Sequence, residues 1–305
     1  MNFTHVYSGN PVDRGEKERR DDQWIAGKAK DSTSKFLPLR DLNILVKDGE
    51  GGLGWVGVAD LERLGVDASP VFLGLLGDTA HFAVDISAQA QAVAELNDGN
   101  GFRFVDARSV TEILSGTDSS IVAQARAQIN WHNVNGFCSI CGGETSVIRG
   151  GQVRKCSKCE KENYPRTDPV IIVVVSDGDR CLLGQSRRGR LNRTNTYSAL
   201  AGFVDQGESI EEAVAREVME EAGIQVGQVR YHSSQPWPFP SSLMIGCHAD
   251  AVTTEINFDD EEMNDVRWFS RDEVSAALKG KNDALNVPQP IAIAHHLITA
   301  WVNGG

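Results

Sequence analysis

The sequence has no long apolar run, no repeat and little that marks a fibrous or disordered chain. Its most apolar stretch, residues 170–175, is far shorter than the about 20 residues that a membrane helix needs. Residues 1–22 lack an apolar core and are rich in charge, so no secretory signal is predicted. With 305 residues, of which 41% are hydrophobic, the chain is predicted to be a soluble globular protein of two or three domains.

Basic residues are in the minority. The 30 Lys and Arg residues stand against 42 Asp and Glu residues, which gives a net charge of −12. This balance disfavours a protein that binds nucleic acid in bulk by charge alone, but it leaves room for a small phosphate ligand held through metal ions. A local arginine group forms either a surface that steers RNA or phosphate or a solvated loop; it comprises Arg187, Arg188, Arg190 and Arg193.

The sequence has only six cysteines, and four of them are regularly spaced as two CxxC pairs. The pairs are Cys138 with Cys141 and Cys156 with Cys159. Each pair lets two thiolates reach one tetrahedral ion from a tight turn, so together they predict a closed zinc site with a structural role. A redox pair and an iron–sulfur site are the alternatives. Reduced thiols also favour the cytosol, and we expect a cytoplasmic protein.

The chain is predicted to divide into three parts, residues 1–130, 131–166 and 167–305. Strands and helices are mixed without a strict βαβ repeat, which indicates an α+β protein. Strands are predicted at 72–76, 102–105, 170–175, 181–184, 244–252 and 266–269, and helices at 119–130, 209–221 and 290–301. The first helix would be capped by Asp118 or Ser119, and the last would have Pro290 in its first turn.

The segment 202–224, GFVDQGESIEEAVAREVMEEAGI, concentrates carboxylates on one predicted helix. Ser209 begins a capping box, and Gly223 supplies the stop. Glu217, Glu220 and Glu221 have the i, i+3, i+4 spacing that places them on one helix face.

Three carboxylates this close repel one another unless cations neutralise them, and oxygen ligands suit Mg²⁺ or Mn²⁺. Arg216 is well placed to pair with Glu208 and to fix the loop 202–207 to the helix. The alternative is a solvated acidic helix face, which we accept for Glu211 and Glu212 alone.

This segment resembles the Nudix box without departure: Gly202, five residues, Glu208, seven residues, Arg216-Glu217-Val218, one residue, Glu220-Glu221, one residue, Gly223-Ile224. The cysteine cluster upstream and the sequence SQPWPFPSSLM at 234–244 narrow the resemblance to the NADH pyrophosphatase (NudC) family. The resemblance covers residues 131–301, whereas 1–130 fit the family's variable N-terminal domain only loosely. It implies a Nudix α/β/α sandwich with a zinc ribbon and a separate mixed α/β N-terminal domain.

The resemblance also implies the metal ligands. These are the backbone carbonyl of Ala201, the carboxylates of Glu217 and Glu221, and a later glutamate, which hold two or three Mg²⁺ or Mn²⁺ ions. Glu262 is chosen for the later position because it lies six residues before Trp268, although Glu261 is adjacent. Glu220 belongs to the same catalytic group, either as a ligand or as the base that orients water.

For the substrate, the resemblance implies that Phe203 and Tyr164 enclose the nicotinamide ring, with Tyr164 supplied by the partner in a homodimer. Ala294 offers backbone contacts. The nucleotide pocket is formed by Gln235, Pro236, Trp237, Pro238, Phe239, Pro240, Ser241 and Ser242. As alternatives, Tyr164 packs under the zinc ribbon and residues 234–242 form an ordinary proline-rich turn.

The implied reaction is attack of water on the pyrophosphate of NADH or NAD⁺, which releases NMN(H) and AMP. The same chemistry would remove an NAD cap from the 5′ end of RNA, since that cap contains the same bond. Glu220 or Glu221 would take the proton. We expect neither a membrane nor DNA as a partner. The rival functions are a Nudix hydrolase of ADP-ribose or a dinucleoside polyphosphate, and a non-catalytic NAD sensor or zinc-ribbon interaction module.

Overall fold

The computed structural model of the chain describes residues 5–49, 51–97, 101–187 and 195–304. These residues form two compact units: unit 1 is Met1–Arg166 with Trp237–Ser241, and unit 2 is Thr167–Pro236 with Ser242–Gly305. The arginine group predicted above falls mostly outside the described residues, because only Arg187 among its four members is described. Within the described ranges, no helix is both long and apolar enough to cross a membrane.

Unit 1 is built on a five-stranded sheet in the order β3-β4-β1-β2-β5. Strands β1 and β4 are parallel, and the other neighbours are antiparallel. The strands are β1 (Lys35–Arg40), β2 (Asn43–Lys47), β3 (Val71–Leu76), β4 (Thr79–Asp85) and β5 (Phe102–Val105). The helices are α1 (Asp22–Lys28), α2 (Val58–Arg63), α3 (Ala90–Asn97) and α4 (Gly116–Val134).

Alternation along the strands gives this sheet two buried faces. Leu37 and Ile44 belong to the core formed with α4, whereas Phe36 and Leu45 belong to the core formed with α2 and α3. Because successive side chains point to opposite faces of a strand, a sheet whose neighbouring positions are all apolar must be covered on both sides. Unit 1 is therefore itself a layered α/β/α domain.

Helix α4 is longer than predicted and begins earlier. The prediction of Asp118 or Ser119 as the cap is wrong, because Ser115 is the N-cap and its Oγ accepts a hydrogen bond from Asp118 N at 3.1 Å. Ser115 has extended backbone angles, so the helix begins at the next residue. Ile121, Ala125 and Ile129 recur every four residues along this helix and are all buried.

The cysteine segment forms a small three-stranded antiparallel sheet within unit 1. Its strands are β6 (Thr145–Ile148), β7 (Val153–Cys156) and β8 (Glu162–Asn163). Cys156 is the last residue of β7 and pairs in register with Thr145, the first residue of β6. The second CxxC pair therefore begins beside the start of β6, which follows the first CxxC pair in the chain. This is the ribbon that the two CxxC pairs predicted.

Unit 2 contains a six-stranded mixed sheet in the order β12-β13-β9-β10-β14, with β11 paired to β9. The strands are β9 (Asp168–Asp177), β10 (Arg180–Ser186), β11 (Leu200–Phe203), β12 (Val226–Trp237), β13 (Ser242–Ala251) and β14 (Met263–Ser270). The helices are α5 (Ile210–Ala222), α6 (Arg271–Leu278) and α7 (Ile293–Val302).

The central strand β9 is buried on both sides. Val173 belongs to the core formed with α5, and Val174 belongs to the core formed with α6 and α7. The predicted α/β/α sandwich is confirmed by these two layers. The predicted strands at 170–175 and 181–184 pair antiparallel across the turn that contains Gly178, where φ is +57°.

The last helix begins later than predicted. Pro290 is not in its first turn, since α7 starts at Ile293. The side chain of Gln235 explains the position, because its Oε1 accepts from Ile293 N at 2.8 Å and its Nε2 donates to Ile291 O at 2.8 Å. These bonds satisfy a free N–H of the first helical turn and hold the preceding carbonyl outside the helix.

Candidate active site and four-cysteine ribbon

The ends of α5 are set by the residues that the sequence singled out. Ser209 Oγ accepts from Glu212 N at 3.2 Å, and the Glu212 carboxylate accepts from Ser209 N at 2.7 Å. Gly223 ends the helix in the left-handed region with φ of +70°. A Cβ at Gly223 would lie 2.5 Å from Asn257 O, so glycine is required there for both conformation and space. These ends fix which residues α5 presents to each side.

Arg216 joins the loop to the helix, as predicted. Its Nε and Nη2 contact the two carboxylate oxygens of Glu208 at 2.6 and 2.9 Å, and Nη2 also donates to Phe203 O at 2.9 Å. The guanidinium hydrogen bond lowers the pKa of Glu208 to about 2. Nη1 reaches Glu217 at 2.9 Å and Glu220 at 3.0 Å. One cation therefore neutralises part of a group of three glutamates and holds the glycine loop in place.

The remaining negative charge is crowded around Glu221. Glu221 Oε2 accepts from Ala201 N at 3.2 Å, which places this carboxylate beside β11. Burial is the main reason that its pKa is raised to about 8, and repulsion from Glu217 and Glu262 adds to it. Burial also raises the pKa of Glu217. Carboxylates that are buried and face one another are costly unless a cation offsets their charge.

This donor set fits a hard divalent cation, because every side-chain ligand is a carboxylate oxygen and the repulsion is already present. Glu262 is half-buried and repels both Glu217 and Glu221, whereas its neighbour Glu261 is exposed. This difference supports Glu262 over Glu261 as the later ligand. Glu220 is exposed and contacts the group through Arg216.

Gly202 permits the closest approach in this region. A Cβ at this position would lie 1.9 Å from Glu217 Cδ and 1.9 Å from its Oε1. Any side chain there would displace the carboxylate, so the absence of one is what brings β11 and α5 together. The sequence pattern marks this glycine, but the reason for it lies in the tertiary contact.

The four cysteines of the ribbon converge. Their Sγ atoms all lie within 4.8 Å of one another, with Cys138 and Cys159 3.7 Å apart and Cys141 and Cys156 3.5 Å apart. Backbone N–H groups of Cys159 and Lys158 point at Cys156 Sγ and lower the pKa of this thiol to about 6, which favours the thiolate. Within the described ranges this is the one group of three or more His, Cys, Asp or Glu residues whose ligand atoms are this close. Four converging sulfurs fit zinc.

The predicted substrate residues are distributed over both units. Tyr164 belongs to unit 1 and Phe203 to unit 2, and their side chains are 59% and 58% exposed. Tyr164 donates to Glu162 Oε2 at 2.6 Å, and its exposure differs from that expected of a ring buried beneath the ribbon. Both rings are free to accept a planar partner within their own units.

The residues of the proline-rich segment differ in their surroundings. Gln235 is buried, and its amide is engaged by α7, while Pro236 is half-buried in β12 and Ser242 begins β13. Trp237–Ser241 belong to unit 1. Ala294 is buried within α7.

Comparison with known proteins agrees with this geometry. Residues 165–288 match the model of the NUDIX domain, and residues 33–131 match that of the NADH pyrophosphatase-like rudimentary NUDIX domain. The NAD-capped RNA hydrolase NUDT12 of Macaca fascicularis is 36% identical, covering 98% of this chain and 73% of its own length. Nudix hydrolase 19, chloroplastic, of Arabidopsis thaliana is also 36% identical, in an alignment that covers 98% of this chain and 86% of that protein.

A third relative, the mitochondrial NAD(P)H pyrophosphatase NUDT13 of Mus musculus, is 40% identical, covering 73% of this chain and 68% of its own. The chain belongs to the Nudix hydrolase family, in the branch that carries a rudimentary Nudix domain ahead of the hydrolase domain. The N-terminal part, expected to fit the family's N-terminal domain only loosely, matches the model of the rudimentary NUDIX domain over residues 33–131.

Proposed function

We propose that this protein hydrolyses the pyrophosphate bond of NADH and NAD⁺ to give NMN(H) and AMP, and that it removes the NAD cap from RNA 5′ ends. The observation that carries the proposal is the crowding of two half-buried carboxylates beside β11, where Glu217 lies against Gly202 and Glu221 accepts from Ala201 N. The names of the relatives, which are NAD-capped RNA hydrolases and an NAD(P)H pyrophosphatase, support the substrate.

Glu217, Glu221 and Glu262, with the carbonyl of Ala201, would hold two or three Mg²⁺ or Mn²⁺ ions. Such ions neutralise phosphate charge and lower the pKa of water when they are bound. Arg216 keeps the glycine loop fixed to α5, so that the carboxylates are positioned before substrate arrives. Glu220 or Glu221 takes the proton of the attacking water; Glu220 is exposed to solvent, whereas Glu221 is half-buried beside β11.

The exposed rings of Phe203 and Tyr164 are suited to stacking on nicotinamide, and Trp237 to Ser242 would contact the nucleotide. We propose that Tyr164 acts across a homodimer. Three apolar side chains near the ribbon support an interface, since Val134, Phe137 and Ile140 are each more than two-thirds exposed, at 72%, 69% and 68%.

Zinc at the four cysteines would be structural, one ion per chain, because four sulfurs leave no open position. All six cysteines are free thiols, which supports a reducing compartment such as the cytoplasm.

The test is product analysis of the purified protein with NADH, NAD⁺, ADP-ribose and NAD-capped RNA, each with Mg²⁺ or Mn²⁺. AMP and reduced NMN from NADH are expected, together with release of the cap from RNA. Faster cleavage of ADP-ribose than of NADH would establish the rival hydrolase. Binding of NADH without AMP release under every metal condition would establish the sensor.

A further inference from the structure

The segment Trp237–Ser241 is part of unit 1, although it links two strands of unit 2. Pro238 is buried, and Phe239 packs against the core that α4 shares with the five-stranded sheet. The centre of the proline-rich motif is therefore held by the side chains of the N-terminal domain.

Two arginines of that domain hold the ring of Phe239. The guanidinium carbon of Arg108 lies 4.0 Å from the ring centroid, and that of Arg126 lies 4.6 Å from it. Arg126 Nη1 also donates a hydrogen bond to Pro238 O. Cations at these distances are attracted to the face of an aromatic ring, and a hydrogen bond to the neighbouring carbonyl adds a fixed direction.

Tyr7 completes the group, which we name the Phe239 cluster: Tyr7, Arg108, Arg126, Trp237 and Phe239. Its ring meets Trp237 edge-on at 6.1 Å and Phe239 at 6.0 Å. Tyr7 is itself buried and fixed, because its hydroxyl donates to Ala107 O at 2.6 Å and its backbone N donates to Ser119 Oγ at 3.1 Å. The aromatic contacts therefore come from a rigid partner.

The Phe239 cluster is a costly way to cover a ring. It brings two guanidinium groups of like charge together, with the charge of Asp106 offsetting part of their repulsion, and Arg126 Nε is buried without a hydrogen-bond partner among the described residues. A leucine would bury the same ring without either cost. The arginines instead make directional contacts with Phe239 and Pro238, and such contacts hold a segment in one conformation.

We propose that Tyr7, Arg108 and Arg126 are positioning residues for substrate binding, acting through Phe239 to fix Trp237–Ser241. The inference rests on the proposed function, in which this segment contacts NAD(H). It gives the N-terminal domain a part in substrate recognition, even though α3 and α4 of that domain carry no carboxylate cluster like that of α5.

The first test is steady-state hydrolysis of NADH by Arg108→Ala, Arg126→Ala and Arg126→Lys. Loss of one cation–π contact should raise KM about three- to tenfold and leave kcat within about twofold. Arg126→Lys keeps the charge and should recover part of the loss. Arg103→Ala is the matched control, because Arg103 is an exposed arginine of the same domain paired with Asp48 at 3.0 Å.

A double-mutant cycle shows whether Arg108 acts through the ring. In a Phe239→Leu background, Arg108→Ala should no longer change KM, because the contact is already lost. Equal effects of Arg108→Ala in both backgrounds would overturn the proposal.

Hydrogen exchange over residues 235–242 gives a readout that does not depend on turnover. Exchange in this segment should quicken in Arg126→Ala and Arg108→Ala, but not in Arg103→Ala. Unchanged exchange would refute the positioning role, and faster exchange with an unchanged KM would refute its link to substrate. If the wild-type protein cleaves no NADH, the proposed function itself fails. This outcome differs from those above, which concern only the variants and test only the positioning role.

Discussion

The two units have the same layered plan but handle charge differently. In each, a mixed sheet is covered by helices on both faces. Helix α4 of unit 1 has 19 residues and a single acidic one, Asp118, whereas α5 of unit 2 has five glutamates in 13 residues. An α/β/α sandwich needs only the apolar stripe of each helix, so the other face is free to carry chemistry or none.

The two units also differ in how their buried charged groups are paired. In unit 1, Arg19 is buried, yet its guanidinium donates to Arg14 O at 2.6 Å, Phe72 O at 2.6 Å and Leu73 O at 3.1 Å. In unit 2, Glu217 and Glu221 repel each other. A buried charge with several hydrogen-bond partners serves the fold, whereas half-buried like charges held side by side indicate a functional site.

The largest expected effect comes from neutralising that group. Glu221→Gln should lower NADH turnover by about 10²–10⁴-fold, because it removes the carboxylate that we propose as a metal ligand or base. It should not lower Tm, since it relieves repulsion and keeps an oxygen that can accept from Ala201 N. Activity assays beside thermal unfolding check this, and Glu211→Gln on the exposed face of α5 is the control. Full turnover in Glu221→Gln would place the chemistry elsewhere.

Cysteine variants should lower the stability of unit 1 and leave that of unit 2 unchanged. Cys156→Ser should abolish zinc binding and destabilise the ribbon of unit 1 by several kcal/mol, because a structural zinc contributes directly to folding. Metal analysis and Tm measure both effects. Cys247→Ala, in the buried sheet of unit 2, should keep the zinc. Retention of stoichiometric zinc by Cys156→Ser would show that the ion is held differently.

Replacing a glycine by alanine should reduce activity at Gly202 in unit 2 but not at Gly116 in unit 1. Gly202→Ala would place a Cβ 1.9 Å from Glu217 Cδ, so the carboxylate must move and turnover should fall about 10- to 100-fold. Gly116→Ala is its counterpart in unit 1, where nothing lies within 4 Å of the added atom, and it should have little effect. NADH assays of both variants provide the comparison. Equal activity would mean that the approach of β11 to α5 is not needed.

The smallest effect is the contribution of His132, in unit 1, to the pH dependence of stability. His132 Nε2 donates a hydrogen bond to Gly151 O at 2.8 Å and its Nδ1 accepts one from Arg154 Nη1 at 3.0 Å, while burial lowers the pKa of His132 to about 4. The folded state therefore binds fewer protons than the unfolded state between pH 6.5 and 4, so stability should fall by about 2–3 kcal/mol as pH falls through this window. Urea unfolding at several pH values measures it. His132→Gln should flatten this part of the slope, and an unchanged slope would assign the effect to other groups.

Local signals predicted the elements that depend on local chemistry. Helix α5 could be delimited because its capping box and its terminal glycine act within a few residues of the helix ends. The start of α7 could not, because it is set by Gln235, which lies 58 residues from Ile293 along the chain. Likewise Ser115 was missed as the cap of α4, since Asp118 and Ser119 are equally good caps by residue type alone.

The cysteine cluster, the carboxylate helix and the pairing of Arg216 with Glu208 could all be predicted from residue order, because each is a short-range relation along the chain. Packing was needed to show that Gly202 leaves room for Glu217, that Glu262 and not Glu261 is half-buried near Glu217 and Glu221, and that Phe239 contacts Tyr7, Arg108 and Arg126. Those contacts join residues far apart in the chain, and only packing brings them within reach of one another.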